Sequence, residues 1–259
     1  MKLLFIGDIV GKSGRKAVRT HLMENKYDFI TANVENAAAG FGVTNRVYND
    51  LKDMGIHAMT AGNHTWDKKE TDQYLNEWDL FIRPANISSK ALGTGYRIFN
   101  IDGKNICVIN LLGRVFMNTS NCPFEEFDKI CESIPKDCFV IVDFHGEATS
   151  EKIAFGYYVA NRANVVTGTH THVQTNDIKI INNSNTLYVT DVGMCGAYDS
   201  VLGMEKESIV ERFVTNMQKR FSVETKGDIL FNGFSFTIND ENIITDYKLI
   251  NEVYESVES

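Results

Sequence analysis

Six apolar, strand-like runs alternate with segments of helical period, and that alternation restricts the chain to a layered α/β fold. The runs are Lys2 to Ile6, Phe29 to Val34, Ala58 to Ala61, Ile106 to Leu111, Phe139 to Phe144 and Val165 to Thr167. Helices are expected between them at Gly14 to Asn25, Asn45 to Met54, Lys68 to Trp78, Phe124 to Ser133 and Thr149 to Asn161. After about Asp177 the texture changes to short β-rich runs, Ile178 to Ile181, Thr186 to Thr190, Phe234 to Ile238 and Ile243 to Leu249, with a helix from about Glu205 to Lys219 between the two pairs. Asn-rich turns break these runs, so hairpins and a second, more antiparallel sheet packed beside the first are expected. No linker, internal repeat or low-complexity tract divides the 259 residues, and a single domain over 1–259 is expected.

Ionisable and amide residues follow these runs with unusual regularity. Asp8 comes just after the first, Asn33-Val34-Glu35-Asn36 closes the second, Gly62-Asn63-His64 the third, His145 the fifth and His170-Thr171-His172 the sixth. In an open α/β sheet the strand ends line one edge, where ligands bind. Imidazole and carboxylate are ligands expected for zinc, iron or manganese, and a carboxylate at Glu35 has two oxygens with which to bridge two cations. Asn63 offers a neutral amide oxygen, while His64 can stay off a metal and transfer a proton near neutral pH. Each motif also has a plainer explanation. Asp8 and Glu35-Asn36 are suited to capping or turns, Gly62-Asn63 to a left-handed turn, and His145 to a hydrogen-bonded core position. His21, in a charged helical segment, and His57, ahead of a strand, are taken as structural or solvated.

Composition narrows the partners. A formal charge of -8 provides no basic field for duplex nucleic acid, whereas a small phosphorylated substrate is allowed because cations in a cleft reverse the local potential. The five cysteines are odd in number and form no C-x-x-C pair, so reduced thiols are expected, with Cys107 and Cys138 filling core volume. The stretch before Asp8 is too short for the apolar part of a signal peptide, and no run reaches the roughly 18 apolar residues of a membrane helix. A cytoplasmic location is expected. Gly11-Lys12-Ser13 superficially matches a phosphate loop but lacks the first glycine, Ile6 standing in its place. Lys12, Arg15 and Arg114 are the cations left to meet a substrate phosphate, each equally suited to be a surface charge.

Taken in order, these motifs resemble the calcineurin-like metallophosphoesterases. Val10 stands where the usual D-x-H opening has its histidine, and Glu35 where the bridging residue is commonly aspartate. Both departures match the YmdB-like bacterial phosphodiesterases, as do Trp66-Asp67, Arg83-Pro84-Ala85-Asn86 and Glu147-Ala148-Thr149-Ser150-Glu151-Lys152. The resemblance implies a four-layer α/β/β/α sandwich with mixed sheets, self-association, two metal ions (iron or manganese) and hydrolysis of phosphodiesters such as 2′,3′-cyclic nucleotides. It also implies that Asp8, Glu35, Asn36 and His172 hold one ion, that Glu35, Asn63, His145 and His170 hold the other, and that His64 is the proton donor. Two alternatives remain at this point: a metal-bound regulatory or scaffolding protein with incidental turnover, and a phosphomonoesterase of the same fold.

Overall fold

The computed structural model describes residues 1–255. The first part of the chain lays down β1 (Lys2–Ile6), β2 (Asp8–Ile9), α1 (Gly11–Glu24), β3 (Phe29–Asn33), α2 (Asn45–Asp53), β4 (Ala58–Thr60), α3 (Thr71–Tyr74) and β5 (Phe81–Ile82). The middle adds β6 (Tyr96–Ile101), β7 (Lys104–Leu112), α4 (Pro123–Ser133), β8 (Phe139–His145), α5 (Thr149–Tyr158), β9 (Val165–Thr169), β10 (Lys179–Ile180) and β11 (Leu187–Val189). The chain then returns through β12 (Met194–Ala197), α6 (Lys206–Thr215), β13 (Ile229–Ile238) and β14 (Ile244–Tyr254).

Two mixed sheets result. One runs β2-β12-β13-β1-β3-β4-β5 with β14 on β13, and the other β10-β11-β9-β8-β7-β6. Period-2 alternation sends successive side chains to opposite faces. Leu3, Phe5 and Phe29 of the first sheet therefore meet Ile106, Val108, Phe139 and Ile141 of the second in a core between the sheets. Leu4, Ile6 and Ile30 face outward under Ala17, Val18 and Leu22 of α1 and Val47 and Leu51 of α2. On the far side, Cys107, Ile109, Val140 and Val142 pack beneath Phe127 and Ile130 of α4 and Phe155 of α5. The layers are thus α/β/β/α, as the sequence leads one to expect.

The sheets do not divide the chain where its texture changes. Rather than forming a sheet of their own, β10 and β11 extend the second sheet, while β13 and β14 join the first through β1. The reason lies in β13. Phe234, Phe236 and Ile238 point into the inter-sheet core and Ile229 and Phe231 into the helix-side core. A strand apolar on both faces needs a central place. The expected helix over Lys68 to Trp78 shrinks to one turn, because residues 62–71 run through tight turns (Thr65 N–H to Gly62 O, Asp67 N–H to His64 O, Thr71 N–H to Lys68 O). The edge hairpin β6–β7 is not foreshadowed by the periodicity, although Asp102-Gly103, both at positive φ between paired Ile101 and Lys104, is a two-residue hairpin signal. All five cysteines are free thiols, with Cys107 and Cys138 buried as expected. No helix among the described residues is long and apolar enough to cross a membrane.

Parallel neighbours β1, β3 and β4 in one sheet and β7, β8 and β9 in the other end at the same side of the sandwich. Toward that side the inter-sheet face turns from apolar to polar: Phe139 and Ile141 are followed on β8 by Asp143 and His145, and Phe29 on β3 by Thr31 and Asn33, all buried. Phe234 is fully buried and stacks on Phe5 at 5.9 Å and Phe236 at 5.6 Å. Phe234→Ala is expected to lower the unfolding free energy by about 3 to 5 kcal/mol, read from a urea midpoint that drops with an unchanged m value.

Candidate metal centre

Every candidate residue arrives at this polar side. Glu35, just past β3, places Oε1 3.0 Å from His145 Nε2 at the end of β8, so the contact joins the two sheets. His145 Nε2 also lies 3.1 Å from Asn63 Oδ1 and 3.1 Å from His170 Nδ1. Donor atoms of Glu35, His145 and His170 all lie within 4.8 Å of one another. Beside this group, Asp8 accepts the His170 N–H at 3.1 Å and holds Oδ1 3.8 Å from His172 Nε2, which in turn is 2.9 Å from the Asn36 amide nitrogen. The capping alternative for Asp8 fails, since α1 has no side-chain cap.

Three features fit this set to cations. First, each histidine commits one ring nitrogen away from the centre. Thr169 Oγ1 gives its hydrogen to Asp143 Oδ1 at 2.7 Å and so must accept from His145 Nδ1–H at 2.8 Å. His170 Nε2 faces Glu147 Oε2 at 3.2 Å, and His172 Nδ1–H donates to Leu202 O at 3.1 Å. The nitrogens left over converge, as ligating histidines do when an outer acceptor fixes the tautomer. Second, Asp8 Oδ1 and Asn36 Oδ1 are buried without a hydrogen-bond partner. A half-turn of the Asn36 amide brings its orphaned oxygen beside His172 Nε2. Third, a Cβ at Gly62 would lie 2.4 Å from both Glu35 Oε2 and His145 Nε2, so only glycine leaves the cradle open.

The electrostatics divide the cluster into a matched pair, Glu35 with His145, and a buried Asp8 that is less well matched. Burial pushes the Asp8 carboxyl up to about 6, even with His172 and His145 opposing it. Burial would also raise Glu35, but the facing His145 outweighs it and brings Glu35 down to about 2. His145 is lifted to about 9 because Glu35 and Asp8 overcome its own desolvation. Burial, reinforced by His145, drives His170 down to about 3.

Several supporting groups are given no role by the sequence reading, although Lys152 falls within one of its motifs. Asp143 collects hydroxyls from Thr60 at 2.5 Å and Thr169 at 2.7 Å and the Asn33 amide at 3.1 Å, forming a polar floor under His145. Its place two residues before His145 on an alternating strand is the signal that identifies it. Lys152, 1% exposed, reaches Asp191 Oδ2 at 2.7 Å and Thr169 O at 2.8 Å. Asp191 also accepts from Thr171 N–H at 3.1 Å and Thr171 Oγ1 at 2.8 Å. This buried pair fastens the turn in which His170 and His172 both take positive φ, at 100° and 65°. A turn of that kind splays the two imidazoles, where a regular strand would have aligned them.

The remaining residues separate clearly. His64 lies at the rim, with its backbone N–H on Glu35 Oε2 at 2.9 Å and Nδ1 on Asp67 Oδ2 at 2.7 Å. His21 is buried against Glu252, Tyr254 and Tyr27, and His57 Nδ1 accepts the Ile30 N–H, so both are structural. Arg15 is held by Asp50 and Ala37 O, well occupied without a phosphate. Val10, fully buried, would meet a Cβ on Gly203 at 2.6 Å, so the neighbouring loop packs over it.

A proton on His145 Nε2 must leave before a cation can take that atom. Manganese affinity should therefore weaken about tenfold per unit as pH falls below about 9, and more steeply below about 6, where Asp8 also protonates. Calorimetry in buffers of different ionisation heat should detect at least one proton released near neutrality; none released would refute the assignment. Lys152→Met strands Asp191 as a buried charge and is expected to cost about 3 to 5 kcal/mol in a denaturation experiment.

The model of the family described as YmdB-like protein matches residues 4–250. The 2′,3′-cyclic-nucleotide 2′-phosphodiesterase of Bacillus subtilis (strain 168) is 44% identical over 246 residues, which cover 93% of this chain and 92% of that relative. A crystal structure of a hypothetical protein from Thermus thermophilus superposes with a TM-score of 0.91 at 36% identity, over 98% of this chain and 99% of that one. The crystal structure of a novel phosphatase from Mycoplasma pneumoniae superposes with a TM-score of 0.90 at 30% identity, over 99% and 95%. Sequence and architecture agree along nearly the whole length, and the chain belongs to the YmdB-like family.

Proposed function

We propose that the chain is a metal-dependent phosphodiesterase hydrolysing small cyclic nucleotides, 2′,3′-cyclic nucleotides foremost, to 3′-phosphates. The observation that carries the proposal is the convergence of three outward-anchored histidines on two buried carboxylates, Glu35 and Asp8, the second of which keeps an oxygen without a partner. The name of the B. subtilis relative supports the substrate class.

Asp8, Asn36 and His172 would hold one cation, Asn63, His145 and His170 a second, with Glu35 shared between them. Mixed imidazole, carboxylate and amide donors suit iron or manganese. Bound there, such cations lower the pKa of water and draw charge from phosphoryl oxygens.

The chain's own groups supply the rest. Glu35, Asn36, His64, His170 and His172 line one cavity, so a phosphate over Glu35 lies beside His64. Asp67 holds Nδ1 of that ring and leaves Nε2 to exchange a proton. Water attacks phosphorus and loses a proton to solvent, the bond from phosphorus to O2′ breaks, O2′ leaves with the proton from His64 Nε2, and His64 regains a proton from solvent. A purely structural metal site needs no such group, which favours catalysis over scaffolding.

His64→Ala is expected to keep its metal content by elemental analysis while losing about 100- to 10,000-fold in turnover. Unchanged turnover removes the assigned role. Assaying 2′,3′-cyclic, 3′,5′-cyclic and monoester substrates side by side should show the first preferred; preference for the monoester would make the chain a phosphomonoesterase.

A further inference from the structure

The cavity that opens on the donor cluster has a volume of about 430 Å³ and two unlike ends. One carries the Glu35 carboxylate and the imidazoles of His64, His170 and His172. The other is built from Phe41 and from a chain excursion between β12 and β13 that contributes Leu202, Ile209, Phe213 and Phe221. Two backbone bonds close the neck of this excursion, Glu205 N–H to Ser222 O and Glu224 N–H to Gly203 O, both 2.9 Å. Its helix, α6, buries Ile209 yet leaves Phe213 82% exposed. An exposed phenylalanine on the wall of a cleft is apolar area still to be covered.

Both ends line a single cavity, so an occupant that fills it carries an apolar group attached to an anion. Resting on the proposed activity, we infer that this wall seats the nucleobase of the substrate and holds it by stacking and burial without reading its edges. Phe213 and Phe221 supply ring faces, and the Arg212 guanidinium lies 4.9 Å from the Phe221 centroid, extending the flat surface. Among the described residues, no carboxylate, amide or hydroxyl side chain lines this end. The amino groups of the bases therefore meet no side-chain acceptor, and the donor at this end, Arg212, lies against the Phe221 ring, whereas every base has a π face to stack. The same excursion also orients a metal-site residue, since Leu202 O accepts from His172 Nδ1. One segment thus sets both the base and the phosphate ends.

The test uses the full-length, metal-loaded protein with the four 2′,3′-cyclic nucleotides and with ribose 2,3-cyclic phosphate, which has no base. All four nucleotides should have kcat/KM within about tenfold of one another and exceed the baseless substrate by about 5- to 100-fold. Phe213→Ala and Phe221→Ala should each reduce that advantage several-fold, chiefly through KM. Val214→Ala, on the same helix but outside the cavity lining, should preserve it. A baseless substrate used as well as a nucleotide, a preference of over a hundredfold for one base, or an advantage untouched in both phenylalanine variants would overturn the inference. If no cyclic nucleotide is hydrolysed, the proposed activity fails, and calorimetric binding of adenosine 3′-monophosphate against ribose 3-phosphate tests the subsite alone. Tighter binding of the nucleotide that is lost in Phe213→Ala supports it; equal binding of the two refutes it.

Discussion

The contact between Glu35 and His145 ties the structure together, because it joins the two sheets at the side where the apolar core gives way to polar groups. A buried carboxylate or imidazolium alone would cost several kcal/mol, and each is tolerated only through its partner. The pair does not satisfy the site, however. Asp8 is equally buried, keeps one oxygen without a partner and is pushed upward by burial. Asp8 is thus the member of the cluster that the side chains leave uncompensated, and the supports keep the donor atoms around it and Glu35 in place. Gly62 keeps the space open, Asp143 and Thr169 fix the His145 tautomer, and the Lys152–Asp191 pair holds a strained turn in the shape that delivers two imidazoles.

Much of this was legible in the sequence because parallel strands bring their C-terminal ends to one edge. Residues as distant as Asp8, Glu35, Asn63, His145 and His172 then become neighbours whenever each follows a strand. The four-layer order was implied by the family resemblance, and alternation accounts for it physically, since Leu3 and Phe5 must part company with Leu4 and Ile6. What stayed hidden depends on contacts across long separations. Nothing local says that β13, apolar on both faces, inserts beside β1, or that Lys152 is buried against Asp191 39 residues away. The shortened helix at Lys68 to Trp78 has a different cause, in that tight turns through residues 62–71 carry the chain past His64 and Asp67 and leave only Thr71–Tyr74 helical. Asp143 was within reach of the period-2 rule, but as part of a supporting shell it has no ligand motif of its own.

The excursion between β12 and β13 places most of an apolar wall opposite the donor cluster while lending a backbone carbonyl to His172. Val10 contributes to the same arrangement. Where a histidine opens the motif in the wider superfamily, this chain has an apolar side chain under Gly203, and the excursion packs down on it. The apolar residue at position 10 and the packing of the excursion are thus linked through a single contact.

The central claim is that two cations sit between the ends of the two sheets and share Glu35. An anomalous difference map from crystals of the manganese-loaded protein tests it most directly. The account predicts two peaks about 3.5 to 4 Å apart, one among Asp8, Asn36 and His172 and the other among Asn63, His145 and His170, with Glu35 between them. A single peak, or peaks away from Glu35, would contradict it.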